Sequence, residues 1–230
     1  MAKTTNPVEI CNLALAELNQ RLISTLDGDG GTPQQMYCKL VYDQARRALL
    51  AAYDWSFALA RESIAPDKLY TQNEDLLDKY PNLYTDQYYG WYGQYRLPAD
   101  CLKISAVYDS NWRKVVNTRG IAMPWTRRGN YIYLSESCGA LGNEGGPRLN
   151  LQYVADQEDV NLFSPAFCEA LYLSIAKRLT KQFNNSASFL QVLEIKFEKA
   201  FKEAKIQDFR QTNTEGVISA PMMEEMYGSI

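Results

Sequence analysis

Asp27 and Asp29, set in the run Asp27-Gly28-Asp29-Gly30-Gly31, come nearest in type and spacing to an ion site. A calcium loop needs a third oxygen ligand where Gly31 stands and a bidentate Glu where Cys38 stands, so the pattern fails at both positions. A phosphate loop fails as well. The stretch from Gly28 to Pro33 lacks the Lys of a GxxxxGK[ST] loop and the third glycine of a dinucleotide fingerprint. These glycines read instead as a turn that tolerates positive φ. A second group is Asp75, Asp78 and Asp86, among the aromatics Tyr80, Tyr84, Tyr88, Tyr89, Trp91, Tyr92 and Tyr95. Glycoside hydrolysis needs only two carboxylates at a suitable separation, which makes a carbohydrate-binding or carbohydrate-hydrolysing protein an alternative reading. Such a pair has to be held on rigid strands, whereas Pro81, Asn82, Gly90 and Gly93 break any regular element here.

The chain has no histidine, which removes more chemistry than any motif adds. There can be no Ser-His or Cys-His nucleophile pair and no His-ligated zinc, iron or copper. The five cysteines, Cys11, Cys38, Cys101, Cys138 and Cys168, are widely spaced, odd in number and without a CxxC pair. They read as reduced, buried thiols rather than a disulfide frame or a sulfur cage. No catalytic residue, cofactor site or metal site is expected.

Twenty-four basic and twenty-seven acidic residues give a net charge of −3, which argues against tight general binding of duplex DNA. Charge is uneven: residues 164–210 are net basic, and the end of the chain is acidic. The basic stretch reads as the solvated face of amphipathic helices. The N-terminal residues mix Glu9, Asn12 and Glu17 into their apolar run, unlike a signal peptide. No window approaches the roughly 18 apolar residues of a spanning helix. A reducing, cytoplasm-like setting is the expectation.

The elements follow from caps and periodicity. Asn6-Pro7-Val8-Glu9 starts a first helix over about Pro7 to Leu18, striped by Val8, Cys11, Leu15 and Leu18. Thr32 caps a second helix with Pro33 at its first position and Gln35 closing a capping box. Its apolar stripe reads as Tyr37, Leu40, Val41, Ala45, Ala48 and Ala52, which puts Lys39, Asp43, Arg46 and Arg47 off the stripe. Trp55 anchors the exit, and the period then falls towards two from Ser56 to Arg61. Strands are expected at Leu102 to Tyr108, Lys114 to Thr118, Tyr131 to Ser135 and Leu149 to Val154. Ser164-Pro165 opens a helix striped by Phe167, Leu171, Ile175, Leu179 and Gln182, and another after Asn185 carries Leu190, Leu193, Phe197, Ala200 and Ala204. Isolated stripes of this length do not stay in water, so the terminal helices must cover one another. The predicted fold is α+β: an antiparallel helical bundle from both chain ends, with a small antiparallel β module inserted and an extended C-terminal tail. The corresponding segments are 1–64, 65–163, 164–211 and 212–230.

Several words then resemble, in order, the head-to-tail adaptor family of short-tailed phages, also called tail tubular protein A. They are Ser24-Thr25-Leu26-Asp27-Gly28-Asp29 before the long helix and Asp54-Trp55-Ser56-Phe57 after it. Tyr95-Arg96-Leu97-Pro98-Ala99-Asp100, Gly129-Asn130-Tyr131-Ile132-Tyr133 and Leu149 to Val154 follow, then Ser164-Pro165-Ala166-Phe167 and Ala176-Lys177-Arg178-Leu179. The similarity spans about residues 7 to 210; 67–94 and the tail after Thr212 have no counterpart. The resemblance implies a structural virion protein of the tail or neck, assembled in the host cytoplasm. It implies that about twelve copies close into a ring around the DNA exit channel through heterologous contacts. One face would bind the portal and the other the next tail component, while DNA passes through the lumen without tight binding and no membrane is involved. Tyr and Trp give large rigid contact area, so Tyr84, Tyr88, Tyr89, Trp91 and Tyr92 are the expected tail-partner interface, with a loop folded over its own core as the plainer account. Val217, Ile218, Met222, Met223, Met226 and Tyr227 make the tail a candidate arm for the portal or a neighbouring subunit, against the plainer account of a disordered end.

Overall fold

The computed structural model describes residues 6–27, 31–71, 83–85, 93–108, 125–134, 148–183 and 186–212. The architecture is mixed α+β. Among the described residues there are four α-helices, α1 (Pro7–Glu17), α2 (Pro33–Ala52), α3 (Pro165–Phe183) and α4 (Ala187–Thr212). Eight strands among the described residues form two sheets: β1 (Leu59–Ile64), β2 (Pro66–Thr71), β3 (Leu83–Thr85), β4 (Gly93–Arg96), β5 (Cys101–Tyr108), β6 (Trp125–Arg128), β7 (Tyr131–Leu134) and β8 (Leu149–Ala155). The chain divides into two compact units: unit 1 is residues 1–58 with 157–230, and unit 2 is residues 59–156.

In unit 1 the caps act where the sequence puts them. Asn6 Oδ1 accepts from the Glu9 backbone N–H at 2.8 Å, and Thr32 Oγ1 accepts from that of Gln35 at 3.3 Å. Helix α1 ends in a Schellman turn. Asn19 takes the left-handed conformation at φ 53°, its N–H reaches the Ala16 carbonyl, and the Gln20 N–H reaches that of Leu15. Asn12 then fixes the next segment by donating to the Ile23 carbonyl and accepting from its N–H. The capping box at α2 is only half formed. The Gln35 side chain does not return to Thr32; it folds over Gly31 and donates to the Asp27 carbonyl at 2.7 Å. Helix α3 lies centrally, in contact with α1, α2 and α4.

The stripe of α2 needs correction. The buried positions are Cys38, Tyr42, Ala45, Arg46, Leu49 and Leu50, whereas Leu40, Ala48 and Ala52 are exposed. Starting the pattern at Tyr37 instead of Cys38 turns the predicted face by about 100° and moves Arg46 to the wrong side. In α3, Phe167, Leu171, Ile175 and Leu179 are buried as their spacing implies, but Gln182 is exposed. Residues 56–58 form a 3-10 turn, so the extended segment begins only at Leu59. That turn lets Ser56 and Phe57 reach the helices, which a straight arm would not.

In unit 2 the first sheet has order β1-β8-β5 and is antiparallel throughout. The second has order β3-β2-β4-β7-β6, antiparallel except for the parallel β2–β3 pair. One apolar cluster joins them, with Ile64, Val107, Leu149 and Leu151 from the first and Tyr95, Ile132 and Leu134 from the second. A two-residue turn, Gly129-Asn130, links β6 to β7, and Gly129 has the positive φ of 58° that a type II′ turn requires first. Strands β5, β7 and β8 follow the expected segments; the expected strand at Lys114 to Thr118 lies outside the described residues.

Candidate functional site

The most elaborated cluster in unit 1 is a joint between the end of α2 and the last helix. Trp55 is fully buried, and its Nε1 donates to the Leu49 carbonyl at 2.9 Å, which closes the end of α2 on itself. Its ring meets Phe167 edge-on at 4.9 Å and Phe201 at 6.0 Å, and Phe57 packs on Phe167 at 5.0 Å and on Phe163 at 5.5 Å. Edge-to-face rings at these separations add to the area they bury. Beside them Asp208, 4 % exposed, accepts from Ser56 through the backbone N–H at 3.1 Å and through Oγ at 2.6 Å. A buried carboxylate is costly unless hydrogen-bonded, and Ser56 supplies both main-chain and hydroxyl donors from 152 residues away in sequence.

A second clasp holds the chain where it returns to unit 1. The Arg46 guanidinium, 2 % exposed, donates from Nη1 to the Gln157 carbonyl at 2.5 Å. Its Nη2 lies 3.4 Å from Asp43 and 3.6 Å from Glu158, whose side chains are largely exposed. One buried arginine thus fixes the return of the chain from both its backbone and its side chains. Near it, the buried Tyr42 hydroxyl has no hydrogen-bond partner among the described residues, and burial pushes its phenol well above the ordinary value.

Unit 2 has its own polar anchor. Tyr153, 4 % exposed, offers its hydroxyl to Asp100 at 3.2 Å and Glu62 at 3.4 Å. Burial first, then the two carboxylates, push this phenol far up, so it stays protonated and serves as a donor. The group ties β1, β8 and the Pro98-Ala99-Asp100 turn together. Arg127 adds a fork, donating to the carbonyls of Cys101, Leu102 and Gly129.

Cys11, Cys38, Cys101 and Cys168 are free thiols. The bond to Cys38, then burial, raises the Cys11 thiol, and the same bond lowers that of Cys38 against the effect of burial; burial alone pushes that of Cys168 up to about 11. The raised thiols of Cys11, Cys101 and Cys168 are held in the protonated form, a poor nucleophile and a poor metal ligand. Among the described residues no group of three or more Cys, Asp or Glu could hold a metal ion, and no helix is long and apolar enough to cross a membrane.

Of the expected interface residues, Tyr84 lies on β3 opposite Tyr70. Tyr88, Tyr89, Trp91 and Tyr92 lie outside the described residues, as do Val217, Ile218, Met222, Met223, Met226 and Tyr227. Asp75, Asp78 and Asp86 lie outside them too. Sequence reasoning missed Arg46 and Asp208 as structural residues. Arg46 could have been found by starting the stripe of α2 at Cys38, since Cys38, Tyr42, Ala45 and Leu49 carry it onto the buried side.

No protein-family model matches the chain, and no curated protein matches it. The resemblance to the adaptor family therefore stands on the residues of the sequence alone.

Proposed function

We propose that the chain is a ring-forming head-to-tail adaptor, a structural virion protein that joins the portal of a short-tailed phage to the next tail component around the DNA exit channel. The supporting observation is the position of the word Asp54-Trp55-Ser56-Phe57. Its residues form the joint to the C-terminal helices, with Trp55 fully buried and Ser56 bonded to Asp208. A structural subunit needs such internal fastening more than it needs a reactive centre. On this reading the terminal helices make an antiparallel bundle, the β module stands as an insertion between them, and the tail after Thr212 is an extended arm. About twelve copies close through heterologous contacts. The aromatic segment around Tyr84, Tyr88, Tyr89, Trp91 and Tyr92 meets the next tail protein, and Val217, Ile218, Met222, Met223, Met226 and Tyr227 dock on the portal or a neighbouring subunit. The subunit needs no cofactor and has no catalytic activity. It resides in the virion neck and assembles in the host cytoplasm.

Electron microscopy of the full chain added to portal rings tests this reading. A second symmetric ring on one end of the portal is the expected image, and portal rings that remain bare refute it. Truncation after Thr212 should weaken that attachment, and replacing Tyr89, Trp91 and Tyr92 by Ala should spare it while abolishing capture of the next component.

A further inference from the structure

Two thiols meet in the core of unit 1. Cys11 lies on the face of α1 that buries Ile10, Ala14 and Leu15, and Cys38 lies on the face of α2 that buries Tyr42, Ala45 and Leu49. Both are fully buried, and the two helices touch. Their side chains are hydrogen-bonded to one another, so the sulfurs are in direct contact. The segment between them is pinned from both sides: Asn12 holds Ile23 through two hydrogen bonds, and Gln34 donates to the Gln20 side chain at 3.3 Å. Cys168 is the rival partner. It and Cys11 both act on the Tyr42 phenol, yet it is Cys38 that bonds to Cys11.

We infer that Cys11 and Cys38 are a redox pair that peroxide converts to a disulfide, stapling α1 to α2. The ring reading is not needed for this. The hydrogen bond divides the labour: it raises the Cys11 thiol and lowers that of Cys38, so Cys38 is the sulfur that reaches the thiolate form. The Cys38 thiolate attacks one peroxide oxygen, the O–O bond breaks, and the hydroxide that leaves takes up the proton Cys38 gave away. The Cys11 sulfur then displaces the hydroxyl of the resulting sulfenic acid, and its own proton departs with that hydroxyl as water. Two thiols and one peroxide become one disulfide and two waters. Peroxide is small and uncharged, and α1, with 11 residues, is short enough to open locally and admit it. Sulfurs already in contact then have only to close to the roughly 2 Å of an S–S bond. Once formed, the bond closes residues 11–38 into a loop and restricts the unfolded chain.

The test uses the full reduced chain, treated with hydrogen peroxide, then unfolded, alkylated at every remaining thiol and weighed. Alkylated thiols should fall by two from the five of the sequence, and trypsin, which cuts between the two cysteines at Arg21, should release one linked pair of peptides holding Cys11 and Cys38. The oxidised chain should melt higher by roughly 5–10 °C, and dithiothreitol should return it to the starting value. Cys168→Ala should keep both the linkage and the shift. Cys38→Ala should lose both, and the wild-type chain alone decides the matter if that variant does not fold. All five thiols left free, oxidation of Cys38 to sulfinic acid without a linkage, a link from Cys11 to Cys168 or between two copies, or a linked chain that melts no higher would each overturn the staple.

Discussion

Units 1 and 2 are fastened in different ways, and the contrast separates what holds each together. Unit 1 is assembled from residues far apart in the chain, and its fastenings are correspondingly long-range: Ser56 on Asp208, Arg46 on Gln157, and a set of rings spanning Phe57, Phe163, Phe167 and Phe201 around Trp55. Unit 2 is one continuous stretch, held by strand ladders and an apolar cluster shared by its sheets, with Tyr153 and Arg127 fixing the turns. Loop-closure entropy must be overcome to join distant segments, so unit 1 needs concentrated, specific contacts where unit 2 can rely on many ordinary ones. Single substitutions at the joints of unit 1 should therefore cost more than comparable ones in unit 2.

Trp55→Ala tests the contrast most severely. It removes the centre of the ring cluster and should cost about 3–5 kcal/mol, seen in urea titration as early loss of helical signal. Should the variant melt within a degree of the wild type, the joint would not hold unit 1. Asp208→Ala comes next, at about 2–3 kcal/mol, because the Ser56 N–H and hydroxyl lose a charged acceptor. Asp208→Asn should recover part of that loss by keeping one acceptor oxygen, which a calorimetric series of the three proteins would resolve. In unit 2, Tyr153→Phe removes one donor from two carboxylates but leaves the ladders of β8 intact, and should cost about 1–2 kcal/mol. A larger loss there than at Asp208 would reverse the contrast between the units. Gly31→Ala should have the smallest effect. A Cβ at Gly31 would fall within 1.9 Å of Gln35 Oε1, so the end of a flexible side chain must swing off the Asp27 carbonyl. The expected cost is below about 1 kcal/mol, checked by the shift in melting temperature.

Much of this fold is legible in the sequence where local chemistry is decisive. Asn6, Thr32 and the prolines that follow them mark helix starts by groups that act within four residues, and both caps form. Trp55 stands out because so large a ring just past a helix must find a pocket. The face of α2 was less legible: an alanine-rich helix offers two plausible stripes, and only contact with the rest of unit 1 selects the one that buries Arg46. Strands β2, β4 and β6 escaped because Pro66–Thr71, Gly93–Arg96 and Trp125–Arg128 are short and lack period-two alternation, and β4 owes its pairing to strands elsewhere in the chain. Asp208 gave no signal at all, since a carboxylate in a basic helix looks solvated until Ser56 arrives from the other end of the sequence.

The central claim is that this 26.2 kDa chain works by joining copies of itself into a closed ring, and native mass spectrometry of the intact protein, alone and beside portal rings, weighs that claim directly. A single closed species of about twelve chain masses is the predicted spectrum. A spectrum holding only the single chain under both conditions contradicts it.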